Sequence, residues 1–151
     1  MPEFRFLHLE RRRVDQALPE LLEKVSGMGT RIVVQVGSPE EAEAFNERLW
    51  IYRDDSFLPH GSKRDGDPEE QPVYLTDEPD NPNGATVRVL LSGVEAAPFV
   101  GSAYERVFLL FDGRDEESLA RARQQWTQVR AAGEPLSYWR EGDDGGWVKA
   151  R

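Results

Sequence analysis

The run Arg106-Val107-Phe108-Leu109-Leu110-Phe111 constrains this chain more than any other stretch. It is rich in β-branched and aromatic residues with almost no polar alternation. That is how a strand reads when both of its faces are covered, as in a parallel sheet with helices packed on it. Asp112-Gly113 turns the chain, and Asp115-Glu116-Glu117-Ser118 opens a helix with carboxylates at the positive end of its dipole. Leu119, Ala122, Trp126 and Val129 recur at three- and four-residue spacing and form one apolar stripe. Arg123, Trp126, Thr127 and Arg130 make a second, basic line beside it, and Gly133 is the C-terminal stop.

The same alternation recurs upstream. Phe4, Phe6 and Leu9 mark a first strand, with Arg5 and His8 among its polar positions. Val14, Ala17, Leu18, Leu21, Leu22 and Val25 give a helical stripe that Gly27 and Gly29 end. Arg31 to Val36 is a second buried-type strand. Ser38 then serves as N-cap, Pro39 as first helical residue and Glu41 as the closing member of a capping box. Ala42, Phe45 and Leu49 line that helix. Strand, helix, strand, helix with short links indicates a parallel βαβ arrangement in a single domain over residues 1–151.

Between the halves the pattern breaks. Asp54 to Gly61 is aromatic and irregular, and Ser62 to Gln71 is polar and reads as a surface loop. Pro72 to Thr76 is a short strand, Pro79 to Gly84 is dense in turn residues, and Val87, Val89 and Leu91 alternate along another strand. A loop or helical turn near Ala96–Gly101 leads to Arg106. Leu136 to Trp139 reads as the last strand, followed by a flexible acidic turn at Gly142–Gly146.

Composition narrows the function. With no cysteine there is no disulfide framework, thiolate metal site or thiol nucleophile. No stretch approaches the roughly 20 apolar residues of a membrane span, and the start lacks a signal-peptide core, so a cytoplasmic protein is expected. A net charge of −9 opposes any strong, direct hold on nucleic acid, which needs clustered cations. A local basic site within an acidic body stays open.

The sites of chemistry expected of an α/β fold are missing. Both strand-to-helix turns, Val36-Gly37-Ser38-Pro39-Glu40-Glu41 and Asp112-Gly113-Arg114-Asp115-Glu116-Glu117, lack a second spaced glycine and put carboxylates where a phosphate would sit. His8 and His60 have no ligand partners at useful spacing, and Asp65-Gly66-Asp67 lacks the glutamate that closes a calcium loop. Ser56 and Ser102 have no nucleophile-elbow context. No enzyme, cofactor or metal is expected. The alternative is a small α/β nucleotide-binding protein or enzyme with a disguised site, which the acidic turns oppose.

An ordered set of short motifs covers nearly the whole chain: Leu49-Trp50, Ser56-Phe57-Leu58-Pro59-His60-Gly61, Gln71 to Thr76, and Asn81-Pro82-Asn83-Gly84. It continues through Tyr104 to Val107, Phe111-Asp112-Gly113, Leu119 to Arg123 with Trp126, Gly133, and Tyr138-Trp139. In this order they resemble the chi subunit of bacterial DNA polymerase III holoenzyme. The resemblance implies a non-catalytic connector, monomeric alone, with a three-layer αβα, Rossmann-like, mostly parallel sheet that binds no nucleotide. It would join the psi subunit of the clamp loader to the acidic, phenylalanine-ended C-terminal tail of single-stranded DNA-binding protein, at the replisome.

For the tail, the resemblance matches the family's arginine to Arg123 and an aromatic to Trp126, with Gly133 and Leu136 near the pocket wall. The sequence adds Arg130, one heptad from Arg123 on the same helix face. Cations beside an apolar anchor are what an acidic tail with a terminal Phe requires. Arg121 points elsewhere by helical spacing. For psi, the resemblance matches Trp50 and Phe57, with Pro59 and His60 alongside.

Overall fold

The structure is a computed structural model that describes residues 2–26, 29–51, 59–144 and 146–151. The strands are β1 (Glu3–Leu9), β2 (Ile32–Gln35), β3 (Gly61–Ser62), β4 (Val73–Thr76), β5 (Val87–Leu90), β6 (Arg106–Asp112), β7 (Leu136–Glu141) and β8 (Trp147–Lys149). The helices are α1 (Val14–Ser26), α2 (Pro39–Trp50) and α3 (Glu116–Ala131). The strands form one sheet in the order β3-β4-β2-β5-β6-β1-β7-β8. All neighbours are parallel except the closing β7–β8 pair.

Each face of the sheet has its own core, because side chains alternate along every strand. Leu7, Leu9, Ile32, Val34, Val89, Phe108 and Leu110 pack with the stripes of α1 and α2. Phe4, Phe6, Val107, Leu109 and Phe111 pack on the other side with Ala122 and Val129 of α3 and with Phe99 of a short 3-10 turn. This is the expected three-layer, mostly parallel arrangement. β1 lies between β6 and β7, and β6 is buried as its composition requires.

Several local expectations need correcting. The chain does not end its sheet at Trp139: β7 continues to Glu141 and returns as β8, where Trp147 pairs with Glu141. Ser62 belongs to a wholly buried two-residue strand, not a surface loop, and its hydroxyl donates to Glu43 at 2.7 Å. The capping box of α2 is half formed. Ser38 accepts from the Glu41 N–H at 3.2 Å, but the Glu41 carboxylate is taken by the Ser92 hydroxyl. Gly29 adopts the left-handed conformation with φ 76°, while Gly27 lies outside the described residues.

The β5 strand is not half-polar either. Arg88 is fully buried between Val87 and Val89. Its guanidinium donates to Gln35 Oε1 at 2.5 Å, the Glu78 and Asp80 carbonyls at 2.8 and 2.7 Å, and the Tyr104 hydroxyl at 2.9 Å, and lies 4.5 Å from the Phe99 ring centroid. A buried charge is tolerable when its donors are satisfied in this way. Arg88 thereby nails the 77–84 loop to the sheet.

Candidate functional site

The parallel register sets His8 beside Phe111 and Arg140, and Phe6 beside Leu109 and Tyr138. On the α3 face these side chains meet Trp126, which sits edge-on to Phe6 at 5.3 Å and to Tyr138 at 5.6 Å between ring centroids. Edge-to-face geometry of this kind holds aromatic rings in place. His8 Nδ1 and the Tyr138 hydroxyl are hydrogen-bonded at 2.6 Å. His8 also fills the space above Gly113, where any side chain would overlap the imidazole.

Over this aromatic floor lies a pocket of about 340 Å³ whose polar rim is Arg123, Thr127, Arg140 and Arg151. Arg123 comes from the exposed side of α3, one turn before Thr127, whose hydroxyl is spent on the Arg123 carbonyl at 3.1 Å. Among the described residues no partner engages the Arg123 guanidinium. Arg140 donates to Glu10 at 2.9 Å, and Glu10 in turn lies 3.8 Å from His8 Nε2. Among the described residues no carboxylate side chain lines the pocket itself. Burial, with Arg140 nearby, pushes the His8 pKa below its ordinary value, so the imidazole is neutral at pH 7. Burial raises the Tyr138 pKa. The result is a cationic rim over a neutral, apolar floor, suited to a carboxylate joined to an aromatic or aliphatic group.

Of the five residues expected at an acidic-tail site, Arg123 and Trp126 line this pocket. Arg130 and Gly133 lie exposed at the far end of α3, and Leu136 is half-buried in the core beside Tyr138. These three stand outside the lining. Arg121 lies against Gly93, away from the pocket. Sequence reasoning missed His8, Tyr138, Arg140 and Arg151, which come from β1, β7 and the segment after β8. The alternation of Leu136, Tyr138 and Arg140 could have grouped those residues on one face. Nothing local could have set that face beside α3.

The second expected surface lies at the end of α2. Trp50 is 55% exposed and Ile51 80% exposed, although both are large apolar side chains. His60 is buried, with its ring 4.2 Å from that of Trp50 and its Nε2 3.0 Å from the Asn46 carbonyl. Asn46 donates to Asp65 at 2.8 Å, and Asp65 accepts the Ser62 N–H at 2.9 Å. That backbone hydrogen bond is the main reason the Asp65 pKa is lowered. His60 therefore supports Trp50 from beneath and does not face solvent. Pro59 is exposed, and Phe57 lies outside the described residues.

The helix N-termini that could hold a phosphate are engaged by their own side chains. Ser38 caps α2, and Asp115 caps α3 by accepting the Ser118 N–H at 3.0 Å, with two glutamates in each first turn. Among the described residues no cluster of three or more His, Asp or Glu is placed to hold a metal, and no helix is long and apolar enough to cross a membrane.

The sequence pattern of the family described as DNA polymerase III chi subunit, HolC, matches residues 1–137. A protein of Rickettsia prowazekii (strain Madrid E) named "Probable DNA polymerase III subunit chi" is 32% identical over 117 residues, covering 74% of this chain and 71% of that protein.

Proposed function

The chain belongs to the chi-subunit family of DNA polymerase III, which places it in DNA replication, and from that premise we propose that it is a non-catalytic connector. Its α3-face pocket takes the acidic, phenylalanine-ended C-terminal tail of single-stranded DNA-binding protein. The exposed end of α2 docks the psi subunit of the clamp loader. The observation that carries the reading is the pocket: three arginines around Trp126 and Tyr138, in a chain whose net charge is −9. The local cations supply charge-assisted hydrogen bonds to carboxylates, and the aromatic floor receives the terminal ring. The acidic body of the protein limits attraction to the DNA backbone, so the site selects a peptide.

The psi-side reading is supported by Trp50 and Ile51, whose exposure is costly in a lone chain and matches an interface anchor. The His60 brace holds the indole before any partner arrives, which lowers the ordering cost of association.

Titration calorimetry with a short acidic peptide ending in Phe, at low and at high salt, tests the tail assignment. Micromolar binding that weakens with salt is expected. Absence of binding at both salt concentrations would remove the tail from the function.

A further inference from the structure

The β7–β8 hairpin presents Tyr138 and Arg140 to the α3 face, but Trp139 faces the opposite side of the sheet. There α1 packs mainly over β2 and β6, with Trp139 and Trp147 partly buried beside the core it belongs to. Between α1 and the hairpin lies a second cavity of about 330 Å³. Its floor and far wall are Phe108, Trp139 and Trp147, and its near wall is the aliphatic side of α1, including Leu21 and Val25. Trp147 lies beyond the last residue matched by the family pattern.

The charge around this cavity is one-sided. Four cations line it, Arg5, Arg12, Lys24 and Arg106, against one carboxylate, Glu20. Glu20 is already paired with Arg12, Arg12 also binds Glu141, and Arg5 is paired with Glu3. Lys24 and Arg106 engage no partner among the described residues. Arg5 lies 5.7 Å from the Trp139 ring centroid and Lys149 lies 6.0 Å from it, so the indole is already in contact with cations.

We propose that this cavity is a second peptide-binding groove, separate from the α3-face pocket, for an acidic segment that inserts one large apolar side chain between α1 and Trp147. Unpaired cations at a concave apolar site in an acidic protein are complementary to a ligand with carboxylates flanking an apolar anchor. Single-stranded nucleic acid fits less well. Stacking bases need open aromatic faces, whereas cations already lie beside the Trp139 ring and the α1 wall is aliphatic. The groove uses none of the residues assigned to the tail pocket, so it does not depend on that reading.

The test is titration of the full chain with an acetylated, amidated peptide of four acidic residues around an internal Leu and Phe, followed by backbone amide shifts. The amidated end offers no terminal carboxylate to the α3-face pocket. Shifts are expected at Lys24, Trp139 and Trp147. Trp147→Ala and Lys24→Glu, both at solvent-accessible positions, should each weaken binding at least fivefold, and Arg123→Ala should leave it unchanged. Loss of binding in Arg123→Ala with no effect of Lys24→Glu would overturn the proposal, because the peptide would be using the other pocket. Displacement of the peptide by oligothymidine at lower concentration than by a second acidic peptide would also overturn it, in favour of nucleic acid.

Discussion

Arg123 is the residue on which the proposed tail site depends most, since its guanidinium is exposed and, among the described residues, unengaged, while Arg140 is held by Glu10. Arg123→Ala should weaken an acidic peptide by about 1–3 kcal/mol, the range for hydrogen bonds to charged groups. Unchanged affinity in calorimetry, with the fold intact, would exclude that role. Glu10 competes with a ligand for Arg140, so Glu10→Gln should tighten the same peptide; weaker binding would mean that Glu10 positions the arginine. His8 adds a pH dependence. Its folded pKa lies below the usual 6.5 through burial and the nearby Arg140. As pH falls below 6.5 the unfolded chain takes up the proton first, so stability present above that pH is lost until the folded pKa is reached. A bound carboxylate favours the imidazolium and should raise the His8 titration midpoint in proton NMR. A midpoint that saturating peptide leaves unmoved would put the peptide elsewhere.

At the scale of elements, a buried carboxylate ties the end of β1 and the start of α1 to β7. Glu141 Oε1 accepts the N–H groups of Glu10, Arg11 and Arg12 at 3.0, 2.7 and 3.1 Å, and Oε2 accepts Arg12 Nε at 2.5 Å. Burial alone would raise the Glu141 pKa, but these donors overcome it and hold the group down to about 2. The stabilisation is complete above the unfolded value of 4.5 and is lost as pH falls through about 2, a difference of about 3 kcal/mol. Thermal melts across that window should show the loss, and Glu141→Gln should flatten it at the cost of a lower melting temperature at neutral pH. Arg88 plays a comparable part for β5 and the 77–84 loop. Arg88→Met would leave the Gln35 and backbone acceptors without donors and should destabilise by about 1–3 kcal/mol, the cost of stranding a buried polar group. A melt within a degree of the parent would show that the loop finds other donors.

At the scale of the whole molecule, the sheet separates two surfaces. The proposed tail pocket belongs to the β1–β7–α3 end, and Trp50 belongs to the α2–β3–β4 end. Such separation suits a connector, because two partners can be held at once without competing for one site. Trp50→Ala should remove about 2 kcal/mol or more of psi affinity while leaving circular dichroism and tail-peptide affinity unchanged, the pattern of an interface anchor. Loss of the fold would instead make Trp50 a structural residue supported by His60.

The architecture was legible because its signals are local. The apolar run of β6, the stripes of α1 and α3, and the capping residues Ser38 and Asp115 each follow from spacing and backbone chemistry within a few residues. Short or irregular pieces were not legible. β3 is two residues long, and β8 follows a glycine-rich turn and carries too little alternation to read as a strand. Arg88 read as a polar position on an alternating strand because nothing in its neighbours shows that Gln35, Tyr104 and two distant carbonyls converge on it. Arg123 and Trp126 could be named from one helix face. Of their companions, His8 comes from a strand about 115 residues away and Tyr138 and Arg140 from the strand that follows α3, and only parallel pairing in register sets them together beside α3. The sequence by itself determined the helices, the longer strands and which helix face is cationic, because those depend on neighbours three or four residues off. The tertiary structure alone decided which cations share a pocket, because that depends on sheet order, which local spacing does not encode.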